Sequence, residues 1–102
     1  MMKLKEAVFK PDVTSIKSFI KRLHPDKIEK DEDGITFKHF YKGSGNKHAI
    51  ISTIHFTPKG YYYEGGEWGV SDPASKRVKA TTNLDKLFKE IKDWLWEMNV
   101  VN

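Results

Sequence analysis

The chain has no cysteine. That excludes disulfides, thiolate chemistry and cysteine-type zinc sites, and it fits a reducing compartment. Nor does it have a long apolar run. No segment reads as a membrane span, and Met1–Lys10 lacks the apolar stretch of a secretory signal. A cytoplasmic protein with no membrane partner is expected. The third absence is local. From Ile35 to Tyr63 there is no Asp or Glu, although the chain carries 14 acids against 18 bases.

That acid-free stretch holds Lys38, Lys42, Lys47 and Lys59, and the histidines His39, His48 and His55. Phe37, Phe40, Tyr41, Phe56, Tyr61, Tyr62 and Tyr63 are threaded among them. Positive charge attracts phosphates and flat rings offer faces to bases, so the mixture suits a nucleic-acid surface. The 102 residues form one domain, 1–102, with room for a single modest core. Hydrophobic content is low at 38%, but 13% of the chain is aromatic and each ring buries a large area. With 31% charged residues and a net charge of only +4, the composition is that of a folded chain.

Periodicity sets the elements. Lys3–Phe9 alternates as a short strand. Asp12 is placed to cap a helix whose stripe is Val13, Ile16, Phe19, Ile20 and Leu23, ended by His24-Pro25. Hairpin punctuation follows: Asp31–Gly34, Lys42–Lys47, Pro58–Gly60 and Gly65-Gly66, the last suited to a two-residue turn. Ser71–Ala80 reads as irregular. A last helix starts at a capping box of Thr82 and Asp85 and carries Leu84, Leu87, Phe88, Ile91, Leu95 and Met98, with Trp94 at the stripe's edge and Trp96 off it. Asp85–Lys89 and Lys89–Asp93 are spaced as i,i+4 pairs. The expected fold is α+β: an antiparallel meander of about four or five strands with an N-terminal and a C-terminal helix packed on one face.

Alternation then divides the strands. Ile35, Phe37, His39 and Tyr41, with His48, Ile50, Ser52, Ile54 and Phe56, form the better core face. A short loop pairs Phe40 with Ala49 and Lys38 with Ile51. The Gly-Gly turn sets Tyr63 opposite Trp68 and Tyr62 opposite Gly69. The open face then shows Thr36, Lys38, Phe40, Ile51, Thr53, His55 and Tyr62, with no carboxylate. Glu64 and Glu67 flank the Gly-Gly tip as solvated side chains.

Three functions fit. The first is a nucleic-acid-binding module, for single or double strands, centred on Lys38, Phe40, His55 and Tyr62. Lys42, Lys47 and Lys59 hold backbone phosphates, and Lys76, Arg77 and Lys79 extend the track. The second is a protein-interaction module, such as an inhibitor, an accessory subunit or a homodimer, using Phe40 and Ile51 of the same face. The third is a small metal-independent ribonuclease using a histidine. His55 points away from His39 and His48, which weighs against catalysis. No His-x-His, HExxH or paired-acid spacing appears, so neither a metal site nor a cofactor is expected. The order helix, antiparallel strands, helix is similar to that of the double-stranded-RNA-binding domain and of the related small ribonuclease toxins of HicA type, over about two-thirds of the chain. The lysine-rich start of the last helix used by the first family is absent here. Gly45-Asn46-Lys47-His48 only loosely resembles the toxins' glycine-histidine strand entry, so no catalytic role carries over.

Overall fold

The computed structural model of the chain describes residues 9–102. In chain order the elements are α1 (Val13–Arg22), β1 (Lys27–Asp31), β2 (Gly34–Phe40), β3 (Ala49–Thr57), β4 (Gly60–Trp68), β5 (Ser75–Thr81) and α2 (Leu84–Glu97). The strand expected over Lys3–Phe9 lies outside the described residues except for Phe9, whose ring meets Tyr61 edge-on at 4.6 Å. The five strands form one antiparallel sheet in the order β1-β2-β3-β4-β5. Short polar turns connect neighbours in sequence, so no crossover is needed.

α1 begins where expected. The Asp12 carboxylate accepts from the Ser15 backbone N–H at 3.1 Å and from its hydroxyl at 2.8 Å. It ends at Arg22, and His24 takes a left-handed φ of 53° ahead of Pro25. α2 is capped by Asn83 rather than Thr82: the Asn83 side chain accepts from the Lys86 N–H at 3.1 Å. Of the two spaced pairs, Lys89–Asp93 closes at 2.8 Å.

One core joins both helices to one sheet face. Ile16, Phe19, Ile20 and Leu23 follow from α1, and Leu87, Ile91, Trp94 and Leu95 from α2. They pack with Ile35, Phe37, Ile50, Ile54, Tyr61, Tyr63 and Val78. Burying each large apolar side chain contributes about 1.5–3 kcal/mol. The helices touch through Phe19 and Phe88, stacked at 4.1 Å. Two polar groups in the core are partly or fully satisfied. Ser52 and Tyr63 share a buried hydroxyl hydrogen bond of 2.7 Å. His39 Nε2 donates to the Leu23 carbonyl at 2.9 Å, while its buried Nδ1 has no partner among the described residues.

The expected register of β2 and β3 is observed, with Phe40 opposite Ala49 and Lys38 opposite Ile51. The Gly65-Gly66 hairpin is not. β4 runs straight through both glycines and pairs with β3 from Thr57↔Gly60 to Ala49↔Trp68. Tyr62 therefore faces His55 and Tyr63 faces Ile54, instead of Gly69 and Trp68. The chain reverses later, where Gly69 adopts φ 94° beside the Lys47 carbonyl. Ser75–Thr81 is consequently a strand rather than irregular, with Val78 as its buried residue. It looks irregular in sequence because an edge strand needs few apolar positions.

Candidate functional site

No described element covers the second face of the sheet. Pairing arranges it in cross-strand rows. One row is Phe40, Ala49 and Trp68; the next is Lys27, Lys38, Ile51, Gly66 and Ser75. Then come Glu29, Thr36, Thr53, Glu64 and Arg77, and beyond them Asp31, Gly34, His55 and Tyr62. Lys38, Phe40, Ile51, His55 and Tyr62 thus share this face, all half-buried.

The other sequence-predicted residues spread out. Lys42 and Lys47 lie in the β2–β3 loop, next to the Phe40–Trp68 row, and Lys59 lies in the β3–β4 turn at the opposite end. Arg77 is on the open face, 74% exposed, with its Nε 3.7 Å from Glu64. Lys76 turns to the helix side and pairs with Glu90 of α2 at 3.0 Å. Lys79 is exposed on β5, next to the register irregularity opposite Tyr61–Tyr63. The basic track is therefore not continuous.

Nor is the face free of carboxylates. Glu64, expected at a solvated tip, lies mid-sheet, where its Oε1 accepts from His55 Nε2 at 3.0 Å. Glu29 and Asp31 join it from β1. Glu67 falls on the helix side, accepting from His48 at 2.8 Å and from the Ala74 N–H at 3.1 Å. Those hydrogen bonds, His48 first, hold its carboxyl below the ordinary value. His48 in turn stacks on Tyr41 at 3.9 Å, whose hydroxyl donates to the Met98 carbonyl, so this histidine ties sheet to helix. His39 is a core residue, with its imidazole pushed below the usual value chiefly by burial.

Sequence reasoning missed Trp68. The supposed hairpin set it opposite Tyr63, on the core side. It stands instead on the open face, 53% exposed. Alternation within a single strand would have found it: Trp68 is two residues from Gly66 and six from Tyr62, and so shares their face. Two depressions meet at this ring. One, about 440 Å³, is lined by Lys27, Lys38, Phe40, Asn46, Ala49, Ile51 and Trp68. In it Ala49 pairs with Phe40 on one side and Trp68 on the other, and is buried. Lys27 and Lys38 stand directly opposite on neighbouring strands. Like charges so placed repel, and neither has an ion-pair partner among the described residues. An anion between them would relieve that repulsion. The other depression, about 340 Å³, lies on the β5 side of Trp68 and includes Ile51, Glu64, Gly66 and Arg77.

His55 lines neither depression. No group of three or more metal-ligating side chains converges among the described residues, and no described helix is long and apolar enough to cross a membrane. Chemically the face offers stacking surfaces, ammonium groups with no ion-pair partner among the described residues and one anchored carboxylate. Comparison with protein-family models, with curated proteins and with solved structures gave no match.

Proposed function

We propose that the open sheet face binds single-stranded nucleic acid. Trp68 and Phe40 provide stacking surfaces, and Lys27 and Lys38, with Lys42 and Lys47 of the adjoining loop, contact phosphates. The observation that carries this reading is the single depression joining two aromatic rings to a pair of facing lysines that have no ion-pair partner among the described residues. Rings on an open sheet stack unpaired bases, whereas a paired duplex hides its base faces. Asn46 adds an amide that can both donate and accept at a base edge.

Salt dependence tests it. A labelled single-stranded oligonucleotide binds in about 50 mM salt and loses affinity steeply toward about 200 mM. Replacing Lys27 and Lys38 by Gln lowers affinity and flattens the salt slope by about one for each lysine removed. Absence of binding at the lower salt rejects the reading.

A protein partner is the second reading. Glu29, Asp31 and Glu64 place carboxylates on the same face as Lys38 and Arg77, which suits a partner of mixed charge. Binding through an apolar centre of Trp68, Phe40 and Ile51 would survive the salt that removes a polyanion.

A further inference from the structure

The depression between Trp68 and Glu64 has a chemistry of its own. The two residues are four apart on one strand, so they share a face, with Cα atoms roughly 13 Å apart. Gly66 stands midway between them. It has no side chain, and a Cβ placed there meets nothing within 4 Å. The gap is therefore open, with an indole at one end and a carboxylate at the other.

That carboxylate is held in place. One oxygen accepts from His55 at 3.0 Å and the other lies 3.7 Å from the Arg77 guanidinium. An ionised carboxylate accepts only, at roughly four lone-pair sites, and His55 fills just one of them. What it can recognise is a base edge rich in donors. Uracil offers one N–H between two carbonyl oxygens. Cytosine and adenine each offer an amino group beside an acceptor nitrogen. Guanine alone offers N1–H and an N2 amino group side by side, a match for a carboxylate's paired oxygens.

We infer that this depression is a guanine-selecting subsite of the single-strand face, an assignment that rests on the nucleic-acid reading above. The purine stacks on Trp68, and its N1–H and N2 amino group donate to Glu64. Arg77, largely exposed, is left to meet an adjoining phosphate.

The test uses short oligouridines carrying one central guanosine, inosine or uridine, titrated against the whole protein. Guanosine binds more tightly than uridine by roughly ten-fold or more, and inosine, which lacks the N2 amino group, falls between. Glu64→Gln turns one acceptor into a donor and removes the preference while oligouridine still binds. Gly66→Val fills the gap from the solvent side and does the same, with its thermal unfolding unchanged or improved. Equal binding of guanosine and uridine by the wild type overturns the assignment, as does a preference that survives both variants. Loss of oligouridine binding in Glu64→Gln would make Glu64 structural and also overturns it. If no oligonucleotide binds at low salt, the nucleic-acid reading itself falls. Binding of N-acetyl-argininamide in that case, lost in Glu64→Gln, would assign the depression to a cationic protein side chain instead.

Discussion

Gly65 and Gly66 are neighbours in β4 that face opposite sides of the sheet. A Cβ on Gly65 would run into the Tyr63 hydroxyl and the Trp94 ring, while one on Gly66 would meet nothing. Tyr63 cannot retreat, because it is fully buried and bonded to Ser52. Gly65→Ala is therefore expected to destabilise by roughly 1–3 kcal/mol through overpacking. Gly66→Ala should be neutral or stabilise by about 0.5–1 kcal/mol, since glycine within a strand is costly. Urea unfolding of the two variants checks both. Equal effects would restore the hairpin that the Gly-Gly pair suggests.

The Ser52–Tyr63 hydrogen bond is a second test of the core. Tyr63→Phe leaves the Ser52 hydroxyl buried without its partner and is expected to cost about 1–3 kcal/mol. Adding Ser52→Ala removes the stranded hydroxyl, so the double variant should be less destabilised than the sum of the single ones. A strictly additive cycle would show that the two hydroxyls do not interact.

His39 makes stability depend on pH. Burial favours its neutral form in the folded protein, whereas in the unfolded chain it titrates near its ordinary value of 6.5. As pH falls through that value the unfolded state takes up a proton that the folded state resists, so unfolding is favoured. Stability should therefore be full above neutral pH, decline as pH drops below 6.5 and level off once the folded imidazole also protonates. His39→Phe should flatten that part of the profile in thermal melts taken across the range. An unchanged slope would mean another group is responsible.

The start of α2 separates local sequence signals from observed geometry. Thr82 with Asp85 matches a capping box, yet Asn83 makes the bond to Lys86. Asn83→Ala should cost about 1 kcal/mol and Thr82→Ala less than about 0.5 kcal/mol. The reverse order in chemical denaturation would move the helix start back by one residue.

The β2–β3 register was legible because strict alternation and a glycine-rich loop of limited length point to one pairing. The stripes of α1 and α2 were legible because an apolar repeat has one helical solution. Gly65-Gly66 misled because its turn signal is local while its cause is tertiary: Trp94, arriving on a distant helix, occupies the space that a side chain would need. A turn at that pair implies Trp68 on the core face, no strand over Ser75–Thr81 and Glu64 at a tip, whereas the unbroken β4 sets Glu64 beside His55 and Arg77. Phe40, Lys38, Ile51, His55 and Tyr62 share the open face because alternation alone fixes it. Lys27 gave no signal at all, because only the pairing of β1 with β2 brings it opposite Lys38.

The central claim is that Trp68 stacks on an unpaired base, and the most direct measurement is the affinity of a single-stranded oligonucleotide for Trp68→Ala against the wild type in about 50 mM salt. Loss of one base-stacking ring is expected to weaken binding by about 1–3 kcal/mol, roughly a 5- to 160-fold rise in Kd. Trp96→Ala, which removes an even more exposed tryptophan from α2, should leave Kd unchanged. Equal affinities for the wild type and Trp68→Ala, or no binding by either, would contradict the account.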